Sequence, residues 1–453
     1  MTSTGESTPL VAVMLIGWAP IVLAMFSLLP SRVAVIAAFV FAWLFLPVAG
    51  YDIRFLPPYT KMSATCVGVL VATLIFDSNR ILKFRPSWVD APMVIFCGWP
   101  FMSAVANGHG PYEGASAVFA QVVAWGMPYF IGRTYFTDLR GLKELAVGVF
   151  VGGLIYIPLC LYEIRMSPQL HKMVYGFHQH SFVQAYRWGS YRPTVFMGHG
   201  LMVSMWMTAA SLTGLWFWAT GAMKRILGLP LAAVVPVLLA TTMVLRSTGA
   251  LALLAIGMAV LGFMWLKPSQ LPILCLAGIA ILYMGVRATG IWSGKELVAA
   301  STAVFGRYRT ESLSFRLENE ELLARRAMQR PLVGWGRMVT RDDEDEAAAV
   351  SDGMWIIIFG VSGAVGLASF AALILLPPLL LRARASPRYW FHPHLAPAVC
   401  FACLLALWMI DNLFNAMLNP IFLLIAGGLA GLRITPATRW AMDVARERSL
   451  RRG

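Results

Sequence analysis

Residues 238–266, LLATTMVLRSTGALALLAIGMAVLGFMWL, carry a single charge, Arg246, inside an apolar run that begins near Ile226. As one α-helix a run of about 40 residues would extend roughly 60 Å, about twice the thickness of a bilayer's hydrocarbon, so it reads as two spans folded back at the Arg-Ser-Thr turn. The guanidinium then lies at the tip of a tight helical hairpin. A Gly, Asn or Ser turn would do the same job, whereas a cation costs about 2.5–3.5 kcal/mol if drawn to helix-centre depth. Either the arginine snorkels to the interface or it has a ligand.

The rest of the chain repeats the pattern. Of 453 residues, 58% are hydrophobic and 13% charged, and apolar runs long enough to span recur along nearly the whole length. They lack the alternation of barrel strands, and lipid offers the backbone no partner, so helices are the expected spanning element. The expected fold is all-α: a polytopic transmembrane bundle of 12 or 13 spans, a single domain over 1–453. The spans fall at about 9–29, 33–50, 62–77, 91–106, 116–132, 145–162, 195–218, 227–245, 248–266, 270–286, 353–381, 396–410 and 414–432. The opening MTSTGESTPL has no Lys or Arg and so lacks the basic region of a cleavable signal. All six cysteines fall inside apolar runs, and Cys400-x-x-Cys403 within a helix reads as two small packing residues rather than a redox or zinc pair.

Basic residues orient the bundle. Arg80, Lys83 and Arg85, then Arg133, Arg140 and Lys143, then Lys224 and Arg225, Lys267, Arg382, Arg384 and Arg388, and the basic tail 433–453 alternate onto one side, cytoplasmic by the positive-inside rule. Two long connections, about 163–193 and 288–350, then face outward together with Arg246. These loops are themselves basic, with Arg165, Lys172, Arg187 and Arg192 in the first and nine Lys or Arg in the second, including Arg316, Arg325, Arg326 and Arg330. A solvated rim is one explanation. A phosphorylated ligand is the other, because arginine forks match phosphate oxygens bidentately. Nucleic acid is excluded as a partner by the outward location. The spans are almost free of charge until their outer ends, which favours an enzyme acting on a lipid-anchored substrate over a coupled transporter.

Three stretches line up in order: YRPTVFMGHGLMVSMWM at 191–207, LRSTGALALLAIG at 245–257, and SFRLENEELLARRAMQRPLVGWG at 314–336, followed by SDGMWIIIFGVSGAVGL at 351–367. The set resembles the O-antigen ligase and O-antigen polymerase superfamily, integral-membrane glycosyltransferases, over roughly residues 60–435. The resemblance implies transfer of a glycan from a polyprenyl-diphosphate (undecaprenyl diphosphate) donor to a glycan or lipid acceptor. It also implies no cofactor, no nucleotide sugar and no metal, and an active site on the periplasmic or exterior side of a bacterial inner membrane. By the same resemblance Arg192 and Arg246 contact the donor diphosphate. Arg316 opens an amphipathic loop helix that closes in the Pro331–Gly336 turn, whose glycines permit positive φ.

One departure stands out. Where related ligases carry a histidine about 11 residues before the Gly-x-x-Gly of the following span, counting back from Gly363 reaches Asp352. Asp352 is the candidate base. Its competing role is an N-cap, where the helix dipole would weaken its basicity. The absent histidine favours polymerase over ligase, in exopolysaccharide or capsule synthesis. His199, expected about two turns inside its span, is a candidate packing or substrate contact; His178 and His180 could suggest a metal only if a third ligand joined them. Arg341–Glu346 reads as a solvated rim. Asp411, Asn412 and Asn415 mark another outer turn, either a polar joint or a substrate contact. A flippase or exporter of lipid-linked glycan is the alternative that the same basic face would serve.

Overall fold

The computed structural model describes residues 8–53, 56–187, 189–337 and 353–435. Its apolar helices in chain order are α1 (Pro9–Leu28), α2 (Ser31–Phe45), α3 (Lys61–Phe76), α4 (Trp88–Ala106), α5 (Pro111–Tyr135) and α6 (Leu139–Met166). After a short α7 (Leu170–Tyr175) come α8 (Gly200–Thr220), α9 (Leu231–Met243), α10 (Thr248–Leu266) and α11 (Leu271–Ala288). A connection containing α12 (Lys295–Phe305) and α13 (Arg307–Ala327) leads to α14 (Met354–Arg384), α15 (Ala396–Phe414) and α16 (Pro420–Ala430). The strands among the described residues form three two-stranded antiparallel ribbons. The all-α polytopic bundle is the fold.

Each segment expected to span coincides with one of these helices, but only nine, among the described residues, are long and apolar enough to cross a membrane. The shorter four are α2, α3, α9 and α16, and the 11 residues of α16 rise only about 16 Å. Local chemistry sets their limits. α16 cannot start before Asn419, whose side chain accepts from Ile421 N–H, with Pro420 filling the first helical position, where no N–H is needed.

Of the nine long helices α15 and α8 are the most enclosed, with Trp206, Trp216 and Trp408 fully buried in them, and every residue of the short α16 is buried as well. Cys400 and Cys403 are free thiols inside α15, facing Thr213 and Met264. Small residues bring other helices into backbone contact: Gly427 of α16 lies against Tyr129 of α5, and Gly132 against Leu424. Leu74, Ile75, Val94, Leu266 and Leu282 point outward, as apolar side chains do where lipid is the solvent.

Contacts sort the helix termini into two ends. At one, Arg133 is buried on Asp90 at 2.6 Å, Arg32 pairs with Asp138, and Arg384 donates to Leu429 and Ala430 carbonyls. The other end collects Arg192, Arg246 and Arg316.

A break in α14 shapes that second end. Gly363 takes φ 64 and ψ −165 inside the helix, and the Pro331–Gly336 turn enters the gap. Ala364 N–H donates to Pro331 at 2.7 Å, Trp335 N–H to Gly360 at 2.8 Å and Gly336 N–H to Val361 at 2.9 Å. Gly334 and Gly336 have the expected positive φ. From α4, Ser103 Oγ reaches the Val333 and Val361 carbonyls, and Asn107, just beyond the helix, donates to Gly334.

Candidate functional site

The site begins with a carboxylate inside an apolar helix. Glu163, fully buried near the end of α6, accepts from three backbone N–H groups: Leu170 at 2.9 Å, Thr194 at 2.9 Å and Val195 at 2.7 Å. Gln179 Nε2 adds bonds to Thr194 Oγ1 and the Val195 and Met197 carbonyls, and Lys61 Nζ donates to the carbonyls of Phe196, Trp43 and Leu46. Residues 193–197 are therefore held as irregular backbone rather than helix, and Val195 sits at φ 50. Irregular backbone of this kind survives in a membrane protein only where protein groups satisfy it.

This corrects the expected position of His199. It does not lie two turns inside a span; it is the N-cap of α8, its Nδ1 accepting Leu201 N–H at 3.0 Å. The backbone before it leaves the helical region at Val195, φ 50, where Glu163 holds the N–H groups of Thr194 and Val195. That acceptor role leaves the ring proton of neutral His199 on Nε2. His180 packs against it edge-on, with ring centroids 4.5 Å apart. His171, behind the segment, is structural: Nδ1–H donates to Phe177 at 2.9 Å while Nε2 accepts from Val48 N–H at 3.1 Å. Burial lowers its pKa to about 4.

Arg192 lies eight residues before α8 and folds back over its start. Its stem covers Gly200 so closely that a Cβ there would collide with Arg192 Cδ and Cγ. Its Nε and Nη2 then donate to the Arg246 carbonyl at 3.3 and 3.1 Å. Arg246 occupies the α9–α10 turn at φ 56, a left-handed conformation unusual for a residue with a side chain. Both helices are tied to α8, through Ser211 to Thr242 at 2.8 Å and Thr208 to the Ala250 carbonyl at 3.4 Å. Arg246 is half-buried; among the described residues no carboxylate pairs with it, and its Nε is buried without an acceptor.

Arg316 is anchored elsewhere on the same end. Its Nη1 donates to the Phe414 carbonyl at 3.2 Å and Asn415 Oδ1 at 3.1 Å, and Asn415 Nδ2 donates to Asp411 at 2.6 Å. One turn along α13, Glu320 docks the helix: it accepts from Arg287 Nε at 2.5 Å, Tyr283 Oη at 3.0 Å and Trp355 Nε1 at 3.1 Å. Burial raises the Glu320 pKa, against the opposing pull of Arg287, Trp355 and Tyr283. Gly353, the N-cap of α14, packs on the Leu413 carbonyl beside the Arg316 anchor. Asp352 and residues 341–346 lie outside the described residues.

Of the residues singled out from sequence, Arg192, Arg246 and His199 come together around the start of α8 and the α9–α10 turn. Arg316 is held by the end of α15. Glu163, Lys61, Gln179, Arg287 and Glu320 were not singled out. The signal for the first two was available, since each is an ionisable residue at the edge of an apolar run. Among the described residues no group of three or more His, Cys, Asp or Glu could hold a metal.

Fold and site together define a multi-pass helical membrane protein with an arginine cluster at one end. Neither the protein-family models nor the curated proteins include a match to the chain.

Proposed function

We propose that the protein is a membrane glycosyltransferase of the O-antigen ligase and polymerase type, acting on a polyprenyl-diphosphate-linked glycan at the extracytoplasmic face of a bacterial inner membrane. The observation carrying this reading is the junction of Arg192 and Arg246, 54 residues apart in sequence, at one end of the bundle. Two segments that the family resemblance nominates independently as diphosphate contacts meet in space.

In this reading the acceptor hydroxyl oxygen bonds to the anomeric carbon of the donor sugar as that carbon's bond to the diphosphate oxygen breaks. The electron pair leaves with the polyprenyl diphosphate, whose growing negative charge Arg192 and Arg246 stabilise, and the anomeric carbon inverts. Such charge stabilisation by fixed donors in a water-poor site is commonly the largest catalytic contribution. The hydroxyl proton passes late to Asp352. Arg316, tethered to α15, supports the loop over the donor, and His199, at the start of α8, is a further substrate contact. A polymerase would use another carrier-linked glycan as acceptor, a ligase a different lipid or protein.

Purified protein in liposomes with a polyprenyl-diphosphate oligosaccharide tests this. Covalent chain growth or transfer is expected, with Arg192→Ala or Arg246→Ala each slower by about 10²–10³-fold. Movement of the oligosaccharide across the bilayer without covalent change would replace the enzyme with an exporter.

A further inference from the structure

We infer that the phosphate group nearest the α9–α10 turn is bound by the N-terminus of α10, with Ser247 Oγ–H and Arg246 Nε as its side-chain donors. The inference rests on the diphosphate reading above and extends it to a residue that reading does not use.

Ser247 stands at the N-cap of α10, where a serine ordinarily accepts from an N–H of the first turn. Here its side chain makes no such bond. The hydroxyl is buried, with the residue 2% exposed, and has no hydrogen-bond partner. One residue away, Arg246 Nε is also buried without a partner. Buried polar atoms are nearly always satisfied, and two adjacent orphans, both able to donate, at one helix start point to an acceptor that the protein does not supply.

The helix supplies the remaining donors. α10 runs 19 residues, and its first intrahelical bond is Leu251 N–H to Ser247 at 3.1 Å. The N–H groups before Leu251 have no intrahelical acceptor and carry the positive end of the helix dipole. An oxyanion seated there would meet backbone N–H groups, a hydroxyl and a guanidinium edge, the donor set that phosphate groups take at helix starts. Arg192, fixed on the Arg246 carbonyl, stands at the same turn and can meet the second phosphate. Access is open on one flank: Gly249 is exposed and a Cβ built there meets nothing within 4 Å.

The test uses the whole protein in detergent or nanodiscs, titrated with inorganic pyrophosphate, farnesyl diphosphate and farnesol. Ser247→Ala is expected to weaken both diphosphates by about 10–100-fold, the usual worth of a hydrogen bond to a charged group. Ser247→Thr, which keeps the hydroxyl, is expected to bind within a few-fold of the parent. The unliganded Ser247→Ala protein should be no less stable to heat, because the hydroxyl has no bond to lose. Gly249→Leu places a side chain in open space at the approach and should weaken binding without lowering the unliganded melting temperature.

Farnesyl diphosphate binding more tightly than pyrophosphate would place the anion on a lipid; equal affinities would place it on a free diphosphate, and both support the site. Unchanged diphosphate affinity in Ser247→Ala, a loss matched by lower thermal stability, or binding of farnesol alone would overturn it. Diphosphate binding lost in Ser247→Ala in a protein that never transfers sugar would keep the site and sink the glycosyltransferase. Sugar transfer with unaltered affinity in Ser247→Ala would do the reverse.

Discussion

Glu163 is where the geometry of the arginine cluster is most exposed to a small perturbation. Its two oxygens receive three N–H groups, Leu170 on Oε1 and Thr194 with Val195 on Oε2, in a residue with no solvent exposure. Glu163→Gln keeps one oxygen. Turned toward Thr194 and Val195, that oxygen preserves two bonds and sets an amide NH₂ against Leu170 N–H. The loss is the orphaned Leu170 N–H together with an amide NH₂ that faces a donor, at least about 1–3 kcal/mol. Glu163→Ala orphans all three, about 3–6 kcal/mol when water partly repairs the gap, a large share of the roughly 5–15 kcal/mol typical of a domain. Equilibrium unfolding in mixed detergent, followed by tryptophan fluorescence, measures both. The Gln variant should remain folded with lower stability, and its affinity for pyrophosphate should fall too, because the segment that Glu163 holds begins one residue after Arg192. A Gln variant as stable as the parent, with unaltered anion affinity, would refute the claim that this carboxylate builds the site.

Three further outcomes follow from the contacts. Gly363→Ala puts a methyl against the Leu332 carbonyl at φ 64, costing at least about 1–2 kcal/mol from the backbone alone, and should release the 331–336 turn, seen as faster tryptic cleavage after Arg337. Arg287→Met leaves Glu320 buried without its guanidinium and should destabilise by about 3–5 kcal/mol; adding Glu320→Gln should recover part of it, and a double-mutant cycle reads the coupling. His171 stays neutral in the fold and has a pKa lowered to about 4, while the unfolded chain takes up the proton near 6.5. Its contribution is therefore whole above pH 6.5 and is lost as pH falls toward 4. His171→Gln should flatten the pH dependence of the melting temperature in that window.

Much of this was legible from residue order. The RST turn inside an uninterrupted apolar run could only be a hairpin, and α9 and α10 meet there. The glycines of the 331–336 turn were readable from their spacing, because positive φ is a local property. The destination of that turn was not: it fills a break in α14 that depends on Gly363 and on Ser103 and Asn107 around α4. His199 was misplaced because apolar periodicity continues through residues 195–198, whereas the backbone there answers to a carboxylate 31 residues earlier.

Composition and the spacing of apolar runs determined a helical membrane bundle, since a backbone in lipid must satisfy itself within each segment and only the local sequence decides whether it can. Arg246 was also identifiable singly, as a charge inside an apolar run, and Arg192 and Arg316 through the motifs that carry the resemblance. Their arrangement belongs to the tertiary structure alone. Arg192 finds the Arg246 carbonyl across 54 residues, Arg316 finds Asn415 across 99, and Ser247 is left with an unused hydroxyl. Hydrogen bonds reach about 3 Å, and no one-dimensional pattern records which distant groups fall within that distance.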